Sequence, residues 1–367
     1  MEVKGEDEGS NYLIDLDSLV ELFGILSQRY RVWAPKVKDG VIRYMPTSSF
    51  GELALGYRNI ELPGYYELKK EEGYFTYTHP VNSLKELLHP PELPLMRVVK
   101  QSSELLFDYT MPNGERLCLF DVRACDLWAL EVLDRVFIKN NPKPDPYYKS
   151  LRDNLFTVGV NCSYATSTCF CTTMGTGPEV RGGYDLLLTE LKEGFLLQVG
   201  SEEGREVIGP LKKRRAEERH LQEKENIIKR TEGMMQKDFH RQEARERLYG
   251  RMDETYWEPV GKRCLACTNC TQVCPTCFCF DMVEKNGLSE SYRVRAWDSC
   301  FSPSFATLHR FNLRQSIHSR YRQWLMHKFA YWVDQFGTYG CVGCGRCITW
   351  CPVGIDVRQE VRRIVQA

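Results

Sequence analysis

The sequence predicts a mixed α and β protein, in which an N-terminal α/β domain precedes a helical, cysteine-rich C-terminal domain. Three observations predict this class: a strand–helix–strand pattern over 117–161, a densely charged stretch over 212–247, and two cysteine runs of identical spacing near the C-terminus. From them we expect the α/β domain over 1–200, a charged helical linker over 201–255 and the cysteine-rich domain over 256–367.

The composition is that of an ordinary soluble globular protein. Lys+Arg and Asp+Glu both total 49, so charge balance gives no general attraction for nucleic acid or an anionic membrane. The acidic N-terminus, MEVKGEDEGSN, has no apolar core, and no stretch reaches about eighteen consecutive apolar residues. We therefore expect a cytoplasmic chain with no membrane insertion and no nucleic-acid partner. In that compartment its 16 cysteines are better metal ligands than disulfide partners.

The first predicted element is an amphipathic helix over 17–30, whose apolar residues recur at helical spacing behind an aspartate that can cap the first turn. Further along, 184–191 and 195–200 flank the short segment KEG and predict a hairpin that closes the first domain. Residues 212–247 hold twelve Lys/Arg and eight Asp/Glu with few apolar positions, which predicts a solvated helical linker or a partner-facing arm.

Between these elements, buried strands are predicted at 117–122 and 155–161, on either side of a helix that Asp126 is expected to cap. Such a crossover is nearly always right-handed with parallel strands, so the carboxyl ends of both strands meet at one edge of the sheet. Cys125 and Cys162 follow those two ends, and we expect them to lie close together.

The two cysteine runs are CLACTNCTQVCP at 264–275 and CVGCGRCITWCP at 341–352. Two-cluster bacterial ferredoxins use this spacing: three thiolates hold one 4Fe-4S cluster, and the fourth reaches across to the other cluster. We therefore expect two clusters with exchanged fourth ligands. The expected ligands are Cys264, Cys267, Cys270 and Cys351 for the first cluster, and Cys341, Cys344, Cys347 and Cys274 for the second.

Zinc is the main alternative at these cysteines, because C-x2-C pairs also occur in zinc ribbons and fingers. A tetrahedral zinc site uses two pairs of ligands, and two triplets with a distal Cys-Pro fit it badly. Cys270, Cys274 and Cys277 also match the C-x3-C-x2-C spacing of radical enzymes that use S-adenosylmethionine. That match overlaps the denser run and lies far from any α/β barrel pattern, so we favour iron–sulfur clusters.

A looser set of cysteines belongs to the first domain: Cys125, Cys162, Cys169 and Cys171. Taken singly, each would more often be a buried inert thiol than a ligand. The predicted sheet edge brings the first two together, and the loop after Cys162 delivers the other two nearby. We therefore expect a third cluster at this edge.

Four cysteines remain outside these sets. Cys118 is mid-strand and is expected to be a core residue. Cys277, Cys279 and Cys300 are either packing thiols or ligands of a further metal site completed by Asp298 or a histidine.

The two runs are separated by 66 residues, and this insert is predicted to be helical because 304–336 is rich in long and aromatic side chains. In this respect it resembles the α-helical ferredoxin domains of fumarate-reductase-type iron–sulfur subunits. Residues 292–340 hold seven Lys/Arg against two Asp/Glu. Aromatic residues interleaved with arginines could bind single-stranded nucleic acid. We favour instead cationic neighbours that offset the negative charge of a cluster and raise its potential.

Five segments together resemble the iron–sulfur beta subunits of cytoplasmic sulfhydrogenases, which are NAD(P)-linked nickel–iron hydrogenases of anaerobes, and the related 4Fe-4S dicluster subunit of anaerobic sulfite reductase is similar. The likeness extends over about 95–367. The segments are DVRACDLWAL, VGVNCSYATSTCFC, KRCLACTNCTQVCPTCFCFD, RAWDSCF and YGCVGCGRCITWCPVGID.

This resemblance implies an electron-transfer subunit of a soluble multi-subunit oxidoreductase. Its partners would be a flavin/NAD(P)-binding subunit and a catalytic subunit, of nickel–iron hydrogenase type or alternatively of sulfite-reductase type. The residues point the same way, because clusters whose irons are all thiolate-bound have no open position for substrate. We therefore expect a relay that is not itself catalytic, with protons, polysulfide, sulfite and a disulfide all open as terminal acceptors. The other hypothesis is a catalytic chain that binds substrate or flavin at its sheet edge.

Overall fold

The structure is a computed structural model that describes residues 11–101 and 104–366; the acidic residues 1–10 considered above lie outside these ranges. Fourteen α-helices lie in the described part: α1 Leu16–Arg29, α2 Lys85–Leu88, α3 Ala124–Asp134, α4 Pro146–Asp153, α5 Cys171–Met174, α6 Glu202–Val207, α7 Glu218–Gly233, α8 Arg241–Tyr249, α9 Glu258–Gly261, α10 Asn269–Gln272, α11 Ile317–Met326, α12 Trp332–Phe336, α13 Arg346–Thr349 and α14 Val357–Gln366.

The same ranges contain sixteen strands: β1 Asn11–Ile14, β2 Arg31–Lys38, β3 Val41–Pro46, β4 Tyr57–Leu62, β5 Tyr65–Lys70, β6 Glu92–Gln101, β7 Glu104–Tyr109, β8 Leu117–Val122, β9 Leu155–Val160, β10 Leu186–Leu191, β11 Gly194–Val199, β12 Arg214–Arg215, β13 Phe280–Asn286, β14 Glu290–Trp297, β15 Thr307–Leu308 and β16 Phe311–Asn312. The predicted mixed class of helices and strands is confirmed.

An eight-stranded sheet forms the centre of the N-terminal half, in the order β12-β1-β11-β10-β9-β8-β2-β3. Its central strands β2, β8, β9 and β10 are parallel, and β10 and β11 form the predicted antiparallel hairpin. The strand–helix–strand prediction is therefore correct, and the carboxyl ends of β8 and β9 lie at one edge.

Helices cover both faces of this sheet. On one face, Leu22 and Phe23 of α1 pack with Phe120 of β8. On the other face, Leu127 and Leu130 of α3 pack with the neighbouring strand residues. Since successive side chains of a strand point to opposite faces, the continuous apolar sequence of β8 fits a strand buried on both sides.

Two predicted helix starts can be compared with the structure. Asp15 caps α1, because its side chain accepts a hydrogen bond at 2.9 Å from the backbone N–H of Ser18. The predicted capping role of Asp126 is wrong: α3 begins at Ala124 after Arg123, so Asp126 lies inside the first turn. Its carboxylate instead forms an ion pair with Arg346.

The insert between the cysteine runs is only partly helical, which corrects the prediction. Its first part forms β13 and β14, which join β6 and β7 in a four-stranded antiparallel sheet of order β13-β14-β6-β7. Its second part is helical from α11 through a π-helical turn at His327–Tyr331 to α12.

The C-terminal half has its own helical core. Trp257, Leu325 and Val361 are fully buried there, and the charged segment contributes Leu248 of α8 to the same core. The preceding helix α7 packs on β10 and β11 instead. The segment is thus helical as predicted, whereas the proposed division at residues 200 and 255 stays a prediction. Within the described ranges, no helix has the length and apolar character needed to span a membrane.

Candidate functional site

Three cavities, each lined by four or more cysteines, lie between the sheet edge and the helical core. The first has about 480 Å³ of empty space and opens toward the surface beside Leu265 and Val353, which are exposed. Its walls include all four residues expected for the first cluster: Cys264, Cys267, Cys270 and Cys351.

The second cavity has about 360 Å³ of empty space and lies deeper. Lys328 and the aromatic side chains of Phe170 and Trp324 form part of its wall. The four cysteines that line it are those expected for the second cluster: Cys274, Cys341, Cys344 and Cys347.

The fourth cysteine of each run thus lies with the triplet of the other run. The short helices α10 and α13, which follow the two triplets, pack against each other. This contact carries Cys274 toward the second triplet and Cys351 toward the first. The structure therefore brings together the two groups that the spacing predicts, while iron binding by them stays a prediction.

Both triplet loops use the left-handed backbone conformation at matching positions. In the second run these positions are Gly343 and Gly345, with φ of +65° and +81°. In the first run they are Ala266 and Thr268, with φ of +52° and +69°. A left-handed residue on each side of the middle cysteine wraps the loop around its cavity, and non-glycine residues are uncommon in this conformation.

The third cavity has about 340 Å³ of empty space at the carboxyl edge of the large sheet. Cys125 reaches it from the first turn of α3, and Cys162 follows β9. Its walls contain the complete looser set from the first domain: Cys125, Cys162, Cys169 and Cys171.

Shared cysteines connect the three cavities in a row. Cys344 lines both the second and the third cavity, and Cys347 lines both the first and the second. The second cavity is therefore the middle one. At one end of the row, Cys267 is the single exposed cysteine in the described part of the chain.

Burial makes these thiols hard to ionise without a metal. It raises the pKa of Cys344 to about 11 and that of Cys169 to about 12. Cys274 is different: a hydrogen bond from the Cys277 thiol and the nearby Lys328 ammonium lower its pKa well below the ordinary value, against the opposing effect of burial. Because metal binding requires thiolates, occupancy of these cavities should be strongly coupled to proton release.

Buried cations surround the second and third cavities. Arg346, within the second run, forms two hydrogen bonds to Asp126 at 2.8 and 2.7 Å, and both side chains have no exposed surface. His79 donates to the backbone oxygen of Cys344 at 2.6 Å. Asp126 follows Cys125 in the chain, so this ion pair lies between the second and third groups of cysteines.

A buried lysine from the first half of the chain supports the first run. The Lys85 ammonium donates to the backbone oxygens of Thr271 and Gln272 at 3.3 and 3.2 Å, next to the end of α10. It also lies 3.7 Å from the ring centre of Trp297, close enough for a cation–π interaction. The interactions tie α10 to the N-terminal half.

The remaining cysteines fall into two groups. Cys118 is fully buried in the sheet core, as predicted. Contact with the Cys279 thiol, followed by burial, raises the pKa of Cys300, so these two side chains are neighbours. In the described ranges no three His, Cys, Asp or Glu side chains converge closely enough to hold a single metal ion, which includes the suggested site at Asp298.

The residues present fit iron–sulfur clusters. Each cavity offers four thiols, the ligand type and number that a 4Fe-4S cluster uses. The empty space between the thiols suits a polynuclear cluster better than a single zinc ion at about 2.3 Å from each sulfur.

Three functional side chains were not predicted individually from the sequence: Lys85, Lys328 and Arg346. A usable signal existed for Lys328, because it interrupts an otherwise apolar stretch of the helical insert, LMHKFAYW. For Arg346 the signal was its position inside a cysteine run. Lys85 gave none, because a lysine in LKELL is typical of a solvated helix face.

Comparisons with known proteins agree with this arrangement. Residues 263–355 match the protein family described as a 4Fe-4S dicluster domain. Over 354 residues the chain is 30% identical to a Pyrococcus furiosus protein named sulfhydrogenase 2 subunit beta, and the match covers 93% of this chain and 95% of that protein. No solved structure gives a significant match.

Proposed function

Because the chain belongs to the family of sulfhydrogenase beta subunits, we propose that it is the electron-relay subunit of a multi-subunit oxidoreductase. In this role it connects a flavin/NAD(P)-binding subunit with a catalytic subunit, which we propose to be a nickel–iron hydrogenase. The observation that carries the proposal is the row of three cysteine-lined cavities joined by Cys344 and Cys347.

A bound 4Fe-4S cluster supplies a one-electron redox centre. The chain's own contribution is to hold such centres close together and away from water. Shared walls at Cys344 and Cys347 keep neighbouring centres adjacent, and aromatic side chains such as Trp324 exclude solvent from two of the cavities. Four thiolates at each centre leave no position for a substrate, so we propose that the chemical reaction occurs on a partner.

The two ends of the row suit two different partners. The first cavity lies beside exposed Cys267, so one partner protein would approach there. The third cavity, on the α/β sheet edge, forms the other end. An arrangement with two distinct ends and a buried middle is what a relay between two proteins requires.

Anaerobic purification of the chain with its associated proteins tests this proposal. We expect co-purification of a flavoprotein and a nickel-containing protein, with about twelve irons per chain for three clusters of this type. About eight irons would remove the third cluster. A chain that purifies alone with bound flavin and catalyses turnover would contradict the relay and select the catalytic hypothesis.

A further inference from the structure

Lys328 is a buried cation in direct contact with a proposed cluster ligand. Only 4% of the residue is exposed, and it lies in the π-helical turn His327–Tyr331 between α11 and α12. A π-helical turn changes the direction in which the side chains of a helix point, and such turns occur frequently at functional sites. Here the lysine forms part of the wall of the second cavity.

The Lys328 ammonium has three hydrogen-bond partners. It donates to Cys274 Sγ at 3.1 Å, to Thr276 Oγ1 at 2.6 Å and to the backbone oxygen of Gly340 at 3.1 Å. None of these partners is a carboxylate. A buried charge without a counter-charge is costly, so the compensating negative charge has to come from the sulfur side of this contact.

We propose that Lys328 is a positioning residue that raises the reduction potential of the middle cluster. This inference rests on the proposed function, since it concerns the cluster held by Cys274 and the second triplet. An added electron makes a cluster more negative, and a fixed cation nearby stabilises that reduced form. Hydrogen bonds to the ligand sulfur act in the same direction.

The contrast with the first cavity supports a specific role at the middle centre. The residues that line the first cavity include no lysine or arginine. Lys262, near that cavity in the chain, is exposed and pairs with Glu258 at 3.7 Å. Its charge is therefore screened by solvent, whereas that of Lys328 is not.

A structural role for Lys328 has to be separated from this electrostatic role. Its contacts with Thr276 and Gly340 also fasten the two cysteine runs to each other. Loss of that fastening would lower stability or iron content, but it would not by itself shift the potential of an intact cluster in a predictable direction. The reduction potential is therefore the decisive measurement.

The experiment is a redox titration of the anaerobically purified full chain, followed by electron paramagnetic resonance. Lys328→Met removes the charge and Lys328→Arg retains it, while Lys262→Met is the matched control that removes an exposed lysine. The Met variant should make reduction of one centre at least tenfold less favourable, a downward shift of about 59 mV for one electron. The Arg variant and the control should titrate like the wild type.

The outcomes separate this inference from the relay itself. Unchanged midpoints in a Met variant with full iron content would overturn the role of Lys328 and leave the relay standing. Wild-type protein without iron would overturn both. If the Met variant loses a cluster, Lys328→Gln carries the same test; loss of about four irons from both neutral variants, with the Arg variant intact, would show a need for charge in assembly and overturn the proposal.

Discussion

Arg346 and Asp126 form an ion pair that fastens the second cysteine run to the large sheet. The guanidinium donates to both carboxylate oxygens, a geometry that suits the planar fork of arginine. Arg346 also donates to the backbone oxygen of Pro80 at 2.9 Å. Two charges are held here without contact with water, so removal of one should leave the other uncompensated.

This predicts a strong asymmetry between single and double substitutions. Arg346→Met should destabilise the chain by about 3–5 kcal/mol because it leaves the Asp126 carboxylate buried and unpaired. The double variant Arg346→Met/Asp126→Leu should recover a large part of that loss. Urea denaturation under anaerobic conditions measures the difference. A double variant no more stable than the single one would contradict the prediction.

The exchange of the fourth cysteine predicts which substitutions affect the same centre. Cys351→Ser and Cys267→Ser should diminish the same resonance signal, because both residues line the first cavity. Cys274→Ser should instead match Cys341→Ser, both of which line the second cavity.

Iron content and the resonance spectrum of each reduced variant provide the check. Cys118→Ala is the control: it removes a buried thiol outside all three cavities and should retain the iron of the wild type. If Cys351→Ser has the same effect as Cys341→Ser, the exchanged arrangement is wrong.

Single residues differ in how far the sequence alone predicts them. Cys264 and its counterpart Cys341 are identified by spacing, since a chemical requirement is written in the distances between cysteines. Cys125 and Cys162 follow from topology. Lys328 and Arg346 do not follow, because a cation in a sequence usually indicates a solvated surface, and burial depends on elements distant in the chain.

Among the local elements, the loop of the second run is the one most constrained by its neighbours. Its Gly343 accepts a hydrogen bond at 2.9 Å from the backbone N–H of Phe170, so two backbones lie side by side. A Cβ at Gly343 would lie 2.6 Å from the Phe170 oxygen, and one at Gly345 would overlap the carbonyl oxygen of Thr168. This close approach brings Cys344 to the third cavity.

Gly345→Ala should therefore separate the second and third cavities. The steric overlap adds to about 1–3 kcal/mol for a side chain in a strained backbone conformation. We expect a clear loss of thermal stability and of iron. Thr268→Ala is the matched control, because it occupies the equivalent position in the first run and already carries a Cβ; it should change stability by no more than about 0.5 kcal/mol. Equal effects of the two substitutions would contradict this account.

Elements with strong periodicity were predicted well, and those that pair over long distances were not. The strands β8 and β9 have continuous apolar sequences that identify them. The strands β13 and β14 are mostly exposed, and their pairing with β6 involves residues about 200 positions earlier. One local signal was available, because Asn286–Gly287 joins β13 and β14, and Asn-Gly is a strong hairpin signal.

In the molecule as a whole, the two halves of the chain are interleaved. The four-stranded sheet combines β6 and β7 of the first half with β13 and β14 of the second. Lys85 and Asp126 of the first half bind backbone or side chains of the two cysteine runs. The third cavity has walls from both halves, so the middle and third centres cannot be positioned independently.

Removal of iron should affect the two halves unequally. The large-sheet core around α1 contains Cys118 and none of the proposed ligands, whereas ligand cysteines pack against the helical core. We therefore expect a chelator under reducing conditions to expose sites for proteolysis in 256–366 and to leave 117–160 protected. Mass spectrometry of the fragments maps the cleavage. Uniform cleavage along the chain would show that the sheet depends on the clusters as well.

The most direct test of the relay is iron analysis combined with electron paramagnetic resonance of the anaerobic, reduced full chain. We predict about twelve irons per chain and the broadened spectrum of interacting clusters, since adjacent cavities share Cys344 and Cys347. A folded, carefully prepared chain that is colourless and gives no signal on reduction would contradict the central claim.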